Sequence, residues 1–241
     1  MVRIARPSLP AKRILLAVLA LALAIVNIPI QPASAALPMT GDGYLYYATQ
    51  ASATTPYKNY TALTNTWSAQ ANMATVANAT HFVRTFNSPT RNERLTMISN
   101  TNGQYEMYRW NGSAWVLDWT DTGGGGSATT YTPRFDLAYT STGDAVAFYG
   151  SGSGAANQQV SYRRFTASTS TWGAETNFTI NPNNAPGETR FLRVENRPGT
   201  DEFAVVWADY QQNLSGNYYD FSANAFSGEP ATVLQNNLSI I

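Results

Sequence analysis

One unit, written twice, fills most of this chain. Phe82-Val-Arg84-Thr-Phe-Asn87-Ser-Pro89-Thr-Arg-Asn92-Glu93 returns 109 residues later as Phe191-Leu-Arg193-Val-Glu-Asn196-Arg-Pro198-Gly-Thr-Asp201-Glu202, without a gap. A second echo, 105 residues apart, runs from Tyr57 to Ala69 and again from Tyr162 to Ala174, with Thr61, Ala62, Thr64, Thr66 and Trp67 matched by Thr166, Ala167, Thr169, Thr171 and Trp172. Gly41-Asp42 and Gly143-Asp144 form a third pair, each heading an aromatic-rich run. Self-similarity of this length predicts a stacked or radial array of supersecondary units, each burying its apolar faces against its neighbours.

The first 40 residues are of another kind. Arg3, Arg6, Lys12 and Arg13 precede an apolar run from Ile14 to Ile30, and the small-residue stretch Pro32-Ala-Ser-Ala35-Ala36 follows. That order is the pattern of a secretory signal over residues 1–35, cleaved after Ala35. An uncleaved anchor is the alternative, because the run is near the minimum length for a bilayer span. The mature chain, residues 36–241, then has eleven Lys and Arg against fifteen Asp and Glu, a formal charge of minus four. Such a balance argues against nucleic-acid partners, and against membrane binding once the signal is removed, since both need clustered cations. The expected location is extracellular, at the cell surface or in the periplasm. With no cysteine in an exported chain, stability must come from packing and strand pairing. The absence of thiolates and the presence of a single histidine, His81, argue against metal sites, and no cofactor is expected.

After the signal, short runs of Tyr, Thr, Val, Phe and Trp alternate with Gly, Asn, Ser and Pro clusters, and no apolar period near 3.6 appears. The fold class is therefore all-β. Asn102-Gly103 and Asn111-Gly112 predict two-residue type I′ hairpins that separate strands over Arg94–Ser99, Gln104–Trp110 and Ala114–Trp119, preceded by one over His81–Phe86. Four antiparallel strands in about forty residues make one propeller blade. The reading is a β-propeller-like array of about four blades, spanning approximately 41–76, 79–120, 131–179 and 187–234, which need not close into a ring. The first unit carries three strands, lacking a counterpart of Phe135 to Thr140. Asp121-Thr-Gly-Gly-Gly-Gly-Ser127 reads as a flexible connection. The strand missing from the first unit is expected from the tail Leu234–Ile241 or from sequence beyond this chain, as in a truncated member of a longer array.

Tyr108-Arg-Trp110-Asn-Gly112-Ser-Ala-Trp115 and Tyr162-Arg163-Arg-Phe-Thr-Ala-Ser-Thr-Ser-Thr-Trp172, alternating with Thr142-Gly-Asp144 and Asn196-Arg-Pro-Gly-Thr-Asp-Glu202, resemble the blades of secreted bacterial β-propeller repeat proteins of uncharacterised function. More weakly, they resemble small-bladed propeller lectins and sialidase-type propellers. Against the sialidase box Ser-x-Asp-x-Gly-x-Thr-Trp, the run from Phe165 to Trp172 keeps only Thr171 and Trp172. The resemblance implies an exported binding protein recognising a glycan or a cell-surface protein through loops at one propeller face. Two other classes stay open: a glycoside hydrolase or lyase of propeller architecture, and spacer repeats of a larger surface protein.

Glycoside hydrolysis needs two facing carboxylates. Glu93 and Glu202 are the best-placed acids, yet they occupy one repeat position after the same Asn-x-Pro turn, so both are assigned a hairpin role and no catalytic residue is predicted. The candidate ligand-binding residues are Arg84, Arg193, Trp110, Trp115, Arg163 and Trp172. Arginine forks onto sugar hydroxyls or carboxylates, and a tryptophan face matches the apolar face of a pyranose; the competing roles are blade-to-blade ion pairs and wedge packing.

Overall fold

The computed structural model describes residues 42–48, 53–75, 78–121, 133–151, 159–179, 189–209, 213–227 and 232–235. The expected signal over residues 1–35, the glycine run from residue 122 and the tail from residue 236 lie outside the described residues. The chain divides into two compact units, residues 1–42 with 61–66, and residues 43–60 with 67–241. In the first, the turn 62–65 places Asn65 at φ 53°, with its N–H donating to the Ala62 carbonyl at 3.3 Å.

Every regular element among the described residues is a strand, and these form four antiparallel sheets in chain order. The first holds β1 (Gly43–Tyr46), β2 (Thr54–Thr61), β3 (Thr66–Trp67) and β4 (Ala71–Thr75), with β3 and β4 both on β2. The second is the meander β5 (Thr80–Asn87), β6 (Arg94–Asn100), β7 (Tyr105–Trp110) and β8 (Trp115–Asp121). The third runs β9 (Phe135–Tyr139), β10 (Ala145–Ser151) and β11 (Gln159–Thr166), with β12 (Thr171–Trp172) and β13 (Thr176–Thr179) sharing its outer edge. The fourth repeats that plan with β14 (Phe191–Asn196), β15 (Glu202–Ala208), β16 (Leu214–Asp220), β17 (Ala225–Phe226) and β18 (Thr232–Gln235). A split outer edge is one strand interrupted, so three sheets are four strands deep and the first is three.

Strand alternation explains how the sheets meet. In β10, Val146 and Phe148 face one way and Ala145, Ala147 and Tyr149 the other, as pleating requires. The first set joins Leu192, Val194, Phe203, Val205, Trp207 and Tyr219 of the fourth sheet in one core. The second joins Leu95, Met97, Tyr105 and Met107 of the second sheet in another. A smaller core, with Met73, Ile98 and Tyr108, links the first and second sheets. Both faces of an inner sheet are therefore apolar, and slipping one register would exchange its two cores. The leading strands β5, β9 and β14 lie side by side in that order. The architecture is an all-β array of antiparallel blades packed face to face.

The hairpins depart from the expected turn type. A type I′ turn needs positive φ at both central residues, but positive φ occurs at Gly103 and Gly112 (73° and 97°) and at neither Asn102 nor Asn111. Gly103 N–H donates to the Asn100 carbonyl at 2.9 Å and Asn100 N–H to the Gln104 carbonyl at 3.0 Å. This is a three-residue loop, a type I turn closed by a left-handed glycine. The Asn100 side chain decides it, because its Oδ1 accepts from the N–H groups of Asn102 and Gln104. Thr140 to Asp144 has the same plan, with Gly143 N–H donating to the Thr140 carbonyl at 3.2 Å.

Gly143 combines φ of 93° with a close approach, since a Cβ there would collide with Thr90 Oγ1 of the second sheet's hairpin. Gly199 has φ of 78° and open space around it. Left-handed strain alone costs about 1–3 kcal/mol. Gly143→Ala is therefore expected to lower the urea midpoint more than Gly199→Ala; equal shifts would show that Thr90 yields freely.

Candidate functional site

The six residues singled out from the sequence fall into three places. Arg84 of β5 and Arg193 of β14 converge on a carboxylate that sequence reasoning did not select. Asp136 of β9, fully buried, lies 3.6 Å from Arg84 Nε and 3.3 Å from Arg193 NH1. Its Oδ2 also accepts the Val194 N–H at 3.1 Å. Burial raises the Asp136 carboxyl above its ordinary value, while the Val194 N–H and the two guanidinium groups pull it back. Neither arginine stacks on an aromatic ring among the described residues. Their geometry is that of a charge bridge across three blades.

Trp110 and Trp115 stand at the boundary of the first and second sheets. Their rings are 5.7 Å apart, and Trp115 meets Tyr46 edge-on at 5.8 Å. The buried Arg94 guanidinium lies 3.8 Å from the Tyr44 ring, 4.8 Å from Trp110 and 5.6 Å from Trp115. Arg94 is only 6% exposed, so this cation held among three rings is a packing device.

Arg163 and Trp172 come together at the boundary of the second and third sheets, and here the arrangement suits a ligand. Trp119 of β8 stands perpendicular to Trp172, with ring centres 5.8 Å apart and an angle of 83°. The Arg163 guanidinium covers Trp119 at 5.2 Å; its Nε donates to the Tyr149 hydroxyl at 3.1 Å and its NH2 to Glu175 Oε2 at 3.4 Å. Asp118 accepts from Arg109 Nε and NH2 at 2.9 and 3.0 Å, and from Trp172 Nε1 at 2.9 Å. That pairing with Asp118 holds the Arg109 guanidinium above its ordinary pKa. Trp119 Nε1 is buried and has no hydrogen-bond partner among the described residues. Arg163 and Glu175 keep 22% and 30% of their side chains exposed, so their polar ends can reach a bound molecule.

Sequence reasoning did not select Trp119, Asp118, Glu175 or Tyr149. The signal was a break in the repeat. Trp119 lies opposite Met107, and the residues at the same register in the other sheets are Ala71, Thr176 and Thr232. Arg163 likewise corresponds to Lys58, Tyr108 and Asn217. The acids selected as hairpin residues do act there: Glu93 accepts from Arg91 and from the Tyr139 hydroxyl, and Glu202 from Arg197.

No protein-family model matches the sequence, and no curated protein does. Among solved structures, the chain is similar to BP39L lectin from Burkholderia pseudomallei, with a TM-score of 0.56 and 11% identity over 81% of this chain and 53% of that one. It is also similar to the lectin of Aleuria aurantia, described as a six-bladed β-propeller with a novel fucose recognition mode, with a TM-score of 0.52 and 10% identity over 82% and 58%. A third is AofleA from Arthrobotrys oligospora, with a TM-score of 0.51 and 12% identity over 80% and 53%. The blades are those of a β-propeller. At such identities the likeness shows the fold alone, and the chain spans between half and three fifths of the length of these proteins. In propeller terms, the Trp119 cluster sits between two successive blades, and the Asp136 bridge joins the leading strands of three.

Proposed function

We propose that this chain is an exported carbohydrate-binding protein without catalytic activity, and that it recognises its glycan between the second and third blades. The perpendicular Trp119 and Trp172 rings, with Arg163 and Glu175 at their rim, carry the reading. An aromatic face covers the apolar face of a pyranose. A guanidinium donates to one hydroxyl, and a carboxylate beside it accepts from the next. The fold shared with propeller lectins, among them one with a fucose recognition mode, supports the reading. Location outside the cell is supported by the ordered charged, apolar and small-residue segments at the N-terminus.

The test is a glycan array probed with the mature protein and with Arg163→Gln. Loss of a hydrogen bond from a charged group costs about 1.5–3 kcal/mol, so retention of any glycan bound should fall roughly 10- to 100-fold. Arg84→Gln, at the distant charge bridge, should leave retention unchanged. An array on which no glycan is held, or on which both variants weaken binding equally, would defeat the proposal.

A further inference from the structure

Strand β8 does not pair regularly with β7. Met107 lies opposite Trp119 and Tyr108 opposite Leu117, so Asp118 is an extra residue with none facing it. In a regular strand successive side chains alternate between faces, and Asp118 and Trp119 would point apart. A bulge re-aims the extra side chain and lets neighbours share a face. Both residues accordingly reach the third blade. Trp119 meets Tyr149 at 5.5 Å and Trp172 at 5.8 Å, and Asp118 Oδ2 accepts the Trp172 indole N–H at 2.9 Å.

Trp172 needs such a tie, because little else on its own strand fixes it. Strand β12 is two residues long and pairs with β11 only through Phe165 with Trp172 and Thr166 with Thr171. Its ring rests on Phe165 at 5.2 Å and 47°, and Trp67 rests on Tyr60 in the same way at 5.1 Å and 49°. That contact belongs to the repeat. The bond to Asp118 is added to it and crosses from one blade to the next, with Arg109 gripping the same carboxylate from β7. Asp118 directly precedes Trp119 as Glu175 directly precedes Thr176, the residue at the same register of the third blade. The two acids have diverged. Glu175 keeps 30% of its side chain exposed at the rim, whereas Asp118 keeps 8% and faces its partners instead of solvent.

We propose that Asp118, brought to this face by the bulge, is a positioning residue that holds the Trp172 indole perpendicular to Trp119. It shapes the aromatic wall of the site without touching a bound molecule. Its effect on binding rests on the reading of this boundary as the glycan site.

The test compares Asp118→Ala and Asp118→Asn with the unaltered protein. Circular dichroism of the unliganded proteins reads exciton coupling between indoles, and Trp172→Phe marks the part that belongs to the Trp119 and Trp172 pair. Retention is read on the immobilised glycans of the array. Asp118→Ala is expected to lose most of that coupling and to lower retention about tenfold, a loss of roughly 1.4 kcal/mol. Asp118→Asn also lacks the charge that pairs with Arg109, but it keeps an oxygen for the indole N–H, so it should recover the coupling and most of the retention. A role limited to the ion pair would make the two variants alike, and that result overturns the proposal. So does a coupling unchanged in Asp118→Ala, whatever the array shows. Where Asp118→Ala alone does not fold, both replacements are made together with Arg109→Met, which removes the unpaired cation, and the outcomes read the same. Coupling lost in the alanine variant and recovered in the asparagine one, on a protein that retains no glycan, would uphold the positioning of Trp172 and defeat the glycan reading.

Discussion

Phe148→Ala is expected to lower the free energy of unfolding by about 3–5 kcal/mol, the range for removing a fully buried phenylalanine. Phe148 has no exposed surface. Its ring lies 5.5 Å from Tyr162 on its own sheet, and 5.5 and 5.9 Å from Tyr219 and Phe226 on the next. Truncation removes the transfer free energy of the ring and leaves a cavity between two sheets that cannot close without moving both. For a domain of this size each kcal/mol shifts Tm by about 2–4 °C, so calorimetry should show a fall of roughly 6–20 °C. Phe148→Leu, which keeps most of the volume, should cost about 1.5 kcal/mol or less. A fall for the alanine variant no larger than for the leucine one would mean that Tyr219 and Phe226 refill the space and that the aromatic knot is not rigid.

The second large effect concerns the charge bridge. Removing both arginines, Arg84→Ala with Arg193→Ala, is expected to cost about 3–5 kcal/mol, because it leaves the buried Asp136 carboxylate with neutral backbone donors, those of Val194 and Leu137, and no cation. Each single replacement should cost much less, since one guanidinium remains in place. The arginines are themselves partly exposed, so their own hydration changes little and the penalty falls on Asp136. Replacing Asp136 by Ala in the double variant should recover stability, as the uncompensated charge is then gone. The dependence on pH has a definite sign. Burial raises the folded-state pKa of Asp136 above its unfolded value. Its ionisation therefore costs stability as pH rises through that interval, and the cost is absent below both values. Loss of the two cations raises the folded value further. The deficit of the double variant should accordingly be large at pH 7 and shrink towards pH 4, measured by urea unfolding; a deficit that grows in acid would show that the carboxylate is not what the arginines compensate.

Much of the blade structure was legible because its causes are local. Turn residues separate short aromatic runs, and a unit that recurs after 105 to 109 residues must bury the same faces each time. The three-strand depth of the first sheet followed from aligning Gly41-Asp42 with Gly143-Asp144. Turn type was misread at Asn102-Gly103, because the side chain that selects the loop, Asn100, precedes the dipeptide and acts through its own hydrogen bonds.

The candidate site was only half visible. Arg163 and Trp172 stood out as members of a repeated phrase, whereas Trp119 and Glu175 matter because they depart from it. Asp136 escaped for a further reason. The hairpin closed by Thr140 and Asp144 is one residue shorter than those closed by Ser88 and Glu93, and by Arg197 and Glu202, so an ungapped comparison does not set Asp136 beside Arg84 and Arg193. Alternation and turn chemistry act over a few residues, and they determined strands, blades and their order. Which guanidinium meets which carboxylate, and which indole faces which, was decided by register between sheets, where partners such as Asp118 and Trp172, or Asp136 and Arg193, are 54 and 57 residues apart.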